Sequence, residues 1–305
     1  MMRCGILLRF GLAIVCSIVL GNAFPARAAA RPVRLATLLP YVAEAFAQLP
    51  GRVLVVGSVR RSPGASLPAG ATDLGSAHTP SFETLASLRP EITVIDRRLH
   101  AALVPRLQEI GGEVMSIDGG SVDSTFAGLL RVAQKIGGAA AEKAIAARIA
   151  QARREIAAAR LARPVETLPL FGAPGSFLFI TERTWLGDLL RQLGFKSSIP
   201  SWPAGGEAIP GYVEVSPELL TSFHPRIALL LAHGDAAALE KAFRERFARL
   251  IGTEKDTGPV TIRTLDPALF AGNPGLDMGR AAHALQEIAA EAPARSVKAG
   301  AAGGR

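Results

Sequence analysis

The sequence predicts an α/β protein of two Rossmann-like lobes with mostly parallel sheets, joined by one long interlobe helix. Three observations predict it. A helix–proline–strand unit occurs twice, apolar runs are too continuous for half-exposed strands, and one amphipathic segment lies between the two copies. The chain has 305 residues, 49% hydrophobic and 20% charged, which is long enough for two lobes that each bury a core.

Residues 1–28 stand apart from the fold. Arg3 and Arg9, with no acid nearby, flank the start of a twelve-residue apolar stretch from Phe10 to Gly21, and Ala26-Arg27-Ala28 is a small-x-small site. Basic flank, short apolar core and cleavage site read as a secretory signal peptide. The stretch is shorter than the roughly 20 residues of a spanning helix, and Val15 ahead of Cys16 argues against lipid attachment. Cleavage after Ala28 removes both cysteines, Cys4 and Cys16, and with them any thiol chemistry. Arg3, Arg9 and Arg27 leave as well, taking the formal net charge from +8 to about +5. Such a balance suits either an anionic ligand or simple solubility.

The first lobe is expected over residues 32–138. Arg52 to Gly57 reads as a strand. Ser81 to Ile95 then supplies the first copy of the repeated unit, and Ser216 to Leu230 the second, 135 residues later. Aligned without a gap, they share Ser81/Ser216, Glu83/Glu218, Leu85/Leu220, Ser87/Ser222, Pro90/Pro225 and Ile92/Ile227. The serine is an N-cap, and the glutamate falls in the first turn, where a carboxylate complements the helix dipole. Pro217 suits the first helical position of the second copy. Each proline stops its helix, and the apolar run after it reads as a strand buried on both faces. Glu113 to Asp118 is a further strand.

An interlobe helix is expected over 139–163. Ile145, Ile149, Ala152 and Ile156 form one apolar face, Gly137-Gly138 breaks it from the preceding helix, and Pro164 ends it. At 1.5 Å per residue the helical part, Ala139 to Leu161, would span about 35 Å, a stiff strut. The second lobe follows over 164–292, with strand material at Leu168 to Phe171, Phe177 to Ile180 and Val260 to Asp266. Residues 293–305 have no periodicity and read as a disordered tail.

At this point the residues resemble a known family, the periplasmic substrate-binding proteins of ABC importers for siderophores, haem and cobalamin. The resemblance runs over about 240 residues. It is carried by Leu38 to Glu44 as a first strand-to-helix element and by Leu74-Gly75-Ser76 through Val94. Thr184 to Leu190 with Leu193-Gly194-Phe195, and Tyr212 to Ser216, carry it in the second half. Arg226 stands where the family usually has an acid, and the segment after Phe247 lacks a tryptophan often found there.

The resemblance implies a periplasmic protein, monomeric and without a cofactor of its own. Its ligand would be a small-molecule metal chelate, foremost a ferric siderophore, and its partner an inner-membrane ABC permease dimer. Glu83 and Glu218 would dock that permease by pairing with arginines of its membrane subunits. A haem or cobalamin ligand is the nearest rival, with Tyr41 or His78 as an axial ligand to haem iron. An exported enzyme or sensor that kept the fold is the rival from another class.

Candidate cleft residues follow from where strands end, since open α/β sheets bind ligands beyond their carboxyl ends. Val53 to Val59 runs into Arg60-Arg61, and Ile92 to Asp96 into Arg97-Arg98. Arginine forks suit carboxylates and other oxyanions, although any one arginine is more often a surface ion pair. Tyr41, Tyr212 and Trp202 fall in expected cleft loops, as do His78 and His233, whereas Trp185 at a helix start suits core as well as contact. No histidine has metal-ligand spacing. There is no phosphate-binding loop, nucleophile elbow or DNA-reading motif. An enzyme and a nucleic-acid partner are therefore not expected.

Overall fold

The computed structural model describes residues 31–49, 52–197, 209–214, 220, 223–247 and 260–292. The signal-peptide and tail readings, Trp202 and Glu218 lie outside the described residues. Two sheets organise the rest. In the first, β1 (Val33–Thr37), β2 (Val53–Ser58), β3 (Thr72–Asp73), β4 (Ile92–Asp96) and β5 (Glu113–Ile117) run in the order β3-β2-β1-β4-β5. Every pairing in it is parallel. The helices α1 (Pro40–Ala47), α2 (Phe82–Leu88) and α3 (Val104–Ile110) provide the crossovers.

The second sheet contains β6 (Val165–Ala173), β7 (Ser176–Ile180), β8 (Phe195–Ser197), β9 (Tyr212–Glu214), β10 (Ile227–Ala232) and β11 (Thr261–Thr264). Its order is β11-β10-β6-β7-β9, with β8 paired to β6. The β11, β10, β6 and β8 pairings are parallel, while β6–β7 and β7–β9 are antiparallel. With this sheet go α5 (Trp185–Leu193), α6 (Ala236–Phe247), α7 (Pro267–Phe270) and α8 (Met278–Ala290).

The apolar runs form strands for the expected reason: both faces are covered. In β4, Ile92 and Val94 enter the core shared with α1 and α4 while Ile95 points to the core under α2 and α3. In β10, Ile227, Leu229 and Leu231 face the shared core, and Ala228, Leu230 and Ala232 pack with Phe177, Phe179, Phe243 and Phe247 on the other side. Ser81 caps α2 by accepting the Thr84 N–H at 3.2 Å. That helix closes at Arg89 just ahead of Pro90, its last carbonyls taken by the Arg34 guanidinium.

Between the sheets runs α4 (Val122–Ala158), capped by Ser121 and kinked where Gly138 takes φ 63°. The break falls on the expected glycine pair: Gly138, at φ 63° and ψ −171°, is non-helical and separates two helical stretches. Ile145, Ile149, Ala152 and Ile156 are all buried. The helix stops at Ala158, short of Pro164, because Leu161 turns to donate its N–H to the Leu193 carbonyl at the end of α5. At its start, the Val122 N–H is taken by Asp188 of α5 at 3.0 Å. One apolar core then runs through α1, α4, α5 and α8 and touches both sheets. No helix among the described residues is long and apolar enough to cross a membrane.

Within α5, Gly187 receives the Thr184 cap, and a β-carbon there would lie 2.0 Å from the Thr181 carbonyl oxygen. Alanine would ordinarily gain about 1 kcal/mol in a helix. Here it must displace backbone, and overpacking of that kind costs about 1–3 kcal/mol. Gly187→Ala is therefore expected to lower stability by about 1–2 kcal/mol, read from the midpoint of denaturant unfolding. A neutral or stabilising result would show that the Thr181 turn is free to move.

Candidate ligand-binding cleft

Strand order locates the crevice in each sheet. The first sheet reverses direction at β1–β4, and the second at β6–β10. Ligands of open α/β sheets bind outside the carboxyl ends at such switch points. The residues there are Leu38 to Tyr41 and Asp96 to Arg98 in the first sheet, with Phe171 to Ala173 and Ala232 to His233 in the second.

On the first side, buried Asp96 builds the loop. One carboxylate oxygen accepts the N–H groups of Arg98 and Leu99 at 2.8 and 2.9 Å, and the other accepts Gly119 N–H at 3.0 Å. This brace holds the β4 and β5 loops together and sets Arg97 and Arg98 around Asp118. Arg97 reaches Asp118 at 2.8 Å and Arg98 at 3.5 Å. Burial acts to raise the Asp118 carboxyl, but the Gly120 N–H and the Arg98 and Arg97 charges outweigh it and hold it below the usual carboxylate range. The carboxylate stays ionised, so the loop sets two guanidinium groups, Arg97 and Arg98, against two carboxylates, Asp118 and Asp96.

On the second side, Phe171 is flanked by Tyr212 and His233, with ring centroids 5.2 and 5.8 Å away. The His233 N–H is fixed on the Gly172 carbonyl at 2.7 Å while the residue itself is exposed. Burial pushes the Tyr212 hydroxyl up to about 12, and Arg98 pulls against that shift. The cation of one lobe therefore acts on the phenol of the other.

The remaining candidates are placed as follows. Arg60 is held by Asp73 at 2.6 Å. Arg61 departs from expectation: its side chain is only 9% exposed, and it bridges Glu44 of α1 and the Asn273 carbonyl. Tyr41 also departs. It is the second residue of α1, not a loop residue, because Pro40 starts the helix. Its hydroxyl is enclosed without a hydrogen-bond partner among the described residues, and burial, followed by the Asp96 and Asp118 charges, raises its pKa. His78 is exposed on the loop before α2. It lies near enough to buried His100 for its charge to act there, and burial, opposed by Asp96, lowers the His100 pKa. Trp185 is core, stacked on Phe270 with centroids 6.2 Å apart. Glu83 is exposed on the first turn of α2, with no ion pair or hydrogen bond among the described residues.

Sequence reasoning missed Asp96, Asp118, Phe171 and Asn273. The two aspartates had a legible signal, since β4 and β5 both lead into Asp at their carboxyl ends. Asn273 had none. Its side chain reaches the Gly119 carbonyl at 3.2 Å and the Thr125 hydroxyl at 2.7 Å across about 150 residues of chain. Among the described residues there is no group of three or more His, Cys, Asp or Glu side chains that could hold a metal ion.

Two α/β lobes with an arginine-bearing loop at one switch point and an aromatic face at the other fit a two-lobed ligand-binding protein. The fold of solved relatives agrees. An ABC transporter substrate-binding protein from Listeria monocytogenes matches with a TM-score of 0.69 at 22% identity, covering 84% of this chain and 98% of that one. The Staphylococcus aureus IsdE structure with heme matches at 0.66 and 18% identity, with the same coverage. The catecholate-siderophore binding protein VctP of Vibrio cholerae matches at 0.63 and 16%, covering 84% and 94%. At such identities the likeness is one of fold. The chain belongs to the periplasmic binding protein family, whose model matches residues 43–249. A high-affinity heme uptake system protein, IsdE of S. aureus, is 22% identical over 182 residues, 57% of this chain. The chain spans 59% of that relative's length.

Proposed function

We propose that the protein is the periplasmic substrate-binding component of an ABC importer, and that its ligand is an iron porphyrin. One observation carries the reading: the Arg97 and Arg98 guanidinium forks stand at one switch point, and at the other an aromatic face ends in an exposed imidazole. A porphyrin offers a partner to each. Its carboxylates suit the guanidinium forks, its flat ring suits Phe171 and Tyr212, and its iron accepts an axial imidazole nitrogen. The heme named for the S. aureus relative supports the same choice. Nothing in this reading requires a catalytic step, so the protein carries and does not transform its ligand. Delivery would follow by docking through Glu83 and Glu218 on the permease.

A ferric siderophore is the second reading, favoured by the same arginine pair. It is weakened because Arg60 and Arg61 are engaged by Asp73 and Glu44. That leaves less positive charge for a strongly anionic chelate. Titration with hemin is expected to give a saturable Soret shift, and His233→Ala to move the band of the bound form. Tight quenching by a ferric catecholate, with hemin leaving the spectrum that of free hemin, would favour the second reading.

A further inference from the structure

Among the described residues, three large apolar side chains are markedly exposed: Leu54 at 40%, Leu99 at 52% and Ile209 at 37%. Single exposed leucines are ordinary, and Leu54 fits that description. It pairs with Arg34 in the first half of β2, away from the carboxyl ends of the sheet. The other two are placed differently. Leu99 follows Arg98, and its N–H is bonded to Asp96 by the same carboxylate oxygen that positions that arginine. Ile209 accepts the Tyr212 N–H at 3.0 Å in the tight turn leading into β9. Arg98 follows the first lobe's switch-point strand and Tyr212 packs on Phe171 of the second, near enough for the Arg98 charge to oppose the burial that raises the Tyr212 hydroxyl. One exposed apolar residue therefore follows Arg98 directly and another precedes Tyr212 by three positions, each on backbone that hydrogen bonds hold in place.

We propose that Leu99 and Ile209 form an apolar rim that determines specificity, selecting chelates with an uncharged, hydrocarbon flank beside their anionic groups. The proposal rests on the iron-porphyrin reading and deepens it. The arginines recognise the carboxylates that many iron chelates share, so charge alone discriminates poorly among them. The rim adds a second requirement. A chelate with methyl and methylene groups next to its carboxylates covers Leu99 and Ile209 on binding, and water leaves apolar surface on both partners. A chelate with carboxylate arms on every edge leaves the rim wet or buries charge against it, at a desolvation cost. Covering a half-exposed leucine or isoleucine corresponds to roughly fivefold to tenfold in affinity per residue.

The experiment compares hemin with iron uroporphyrin, which carries carboxylate arms at every outer position, by absorbance titration of the full mature protein. Leu99→Asn, Ile209→Asn and the double variant are titrated beside the wild type, with melting temperatures confirming that the exposed substitutions leave the fold intact. The wild type is expected to prefer hemin. Each single variant should lose roughly fivefold to tenfold for hemin, and the double variant more, with iron uroporphyrin affinity unchanged or improved. Hemin affinity unchanged in the double variant would overturn the rim and leave the porphyrin reading standing. Equal losses for both porphyrins would also overturn it, because the residues would then support the cleft and not select its ligand. Failure of both porphyrins to bind the wild type would overturn the porphyrin reading and the rim with it.

Discussion

A protein carrying both Glu83→Ala and Glu218→Ala is expected to bind its ligand normally and to lose most uptake in cells. Glu83 stands exposed on a turn already capped by Ser81, and it pairs with nothing among the described residues. Its dipole contribution to the helix is a few tenths of a kcal/mol, so the fold should hardly register its loss. A carboxylate that pairs with a permease arginine is another matter. Truncating one partner of a buried interfacial charge pair costs about 2–5 kcal/mol, enough to lower productive docking by an order of magnitude or more. Each single variant should be impaired, and the double variant further, since one contact raises the effective concentration of the other. Uptake of labelled ligand, measured beside titration of the purified variants, separates docking from capture. Normal uptake by the double variant would leave the repeated glutamate with a role in helix architecture alone.

Reversal of the arginine pair, Arg97→Glu with Arg98→Glu, should act on the opposite step. Around Asp96 and Asp118 the reversal replaces two guanidinium groups with two further carboxylates, so four acids cluster where two were balanced. Two charge-assisted hydrogen bonds to the ligand, at about 1.5–3 kcal/mol each, correspond to a loss of affinity of more than about a hundredfold. The wild-type affinity should also fall with added salt, because these groups are partly exposed and screened. Arg60→Glu serves as the control. It breaks an exposed pair with Asp73 at the sheet edge, and such pairs contribute about 0–1 kcal/mol. Equal binding by the Arg97/Arg98 double reversal and the wild type would place the anion site elsewhere.

What the sequence made legible were features written into neighbouring residues. The runs after Pro90 and Pro225 became β4 and β10 because every position on them is buried, on alternating sides. The isoleucine stripe of α4 was readable for the same reason at helical spacing. The antiparallel part of the second sheet was less evident, although Pro174-Gly175, with Gly175 at φ 92°, is a turn pair able to fold β6 back onto β7. Of the candidate site, the arginines, Tyr212 and His233 were named from the sequence, but not their partners. Whether an arginine is free depends on which acid lies opposite, and Glu44 and Asp73 reach Arg61 and Arg60 through tertiary packing. The end of α4 was misjudged similarly, since Leu161 is drawn off by the last turn of α5 and not stopped by Pro164.

The continuous core through α1, α4, α5 and α8 has a consequence for energetics. A binding protein with a free hinge populates open and closed forms, and its apparent affinity is diluted by the fraction that is incompetent. Here the helices under the two sheets are packed into one apolar mass, and Asp188 and Asn273 add polar ties beside it. Widening the cleft would mean exposing that mass to water, so the spacing of Arg98 and Tyr212 is set when the chain folds. Selectivity then rests on a preformed gap, as in a rigid mould. Under the proposed reading, binding would be governed by how well a chelate fits, with little free energy diverted to rearranging the protein around it.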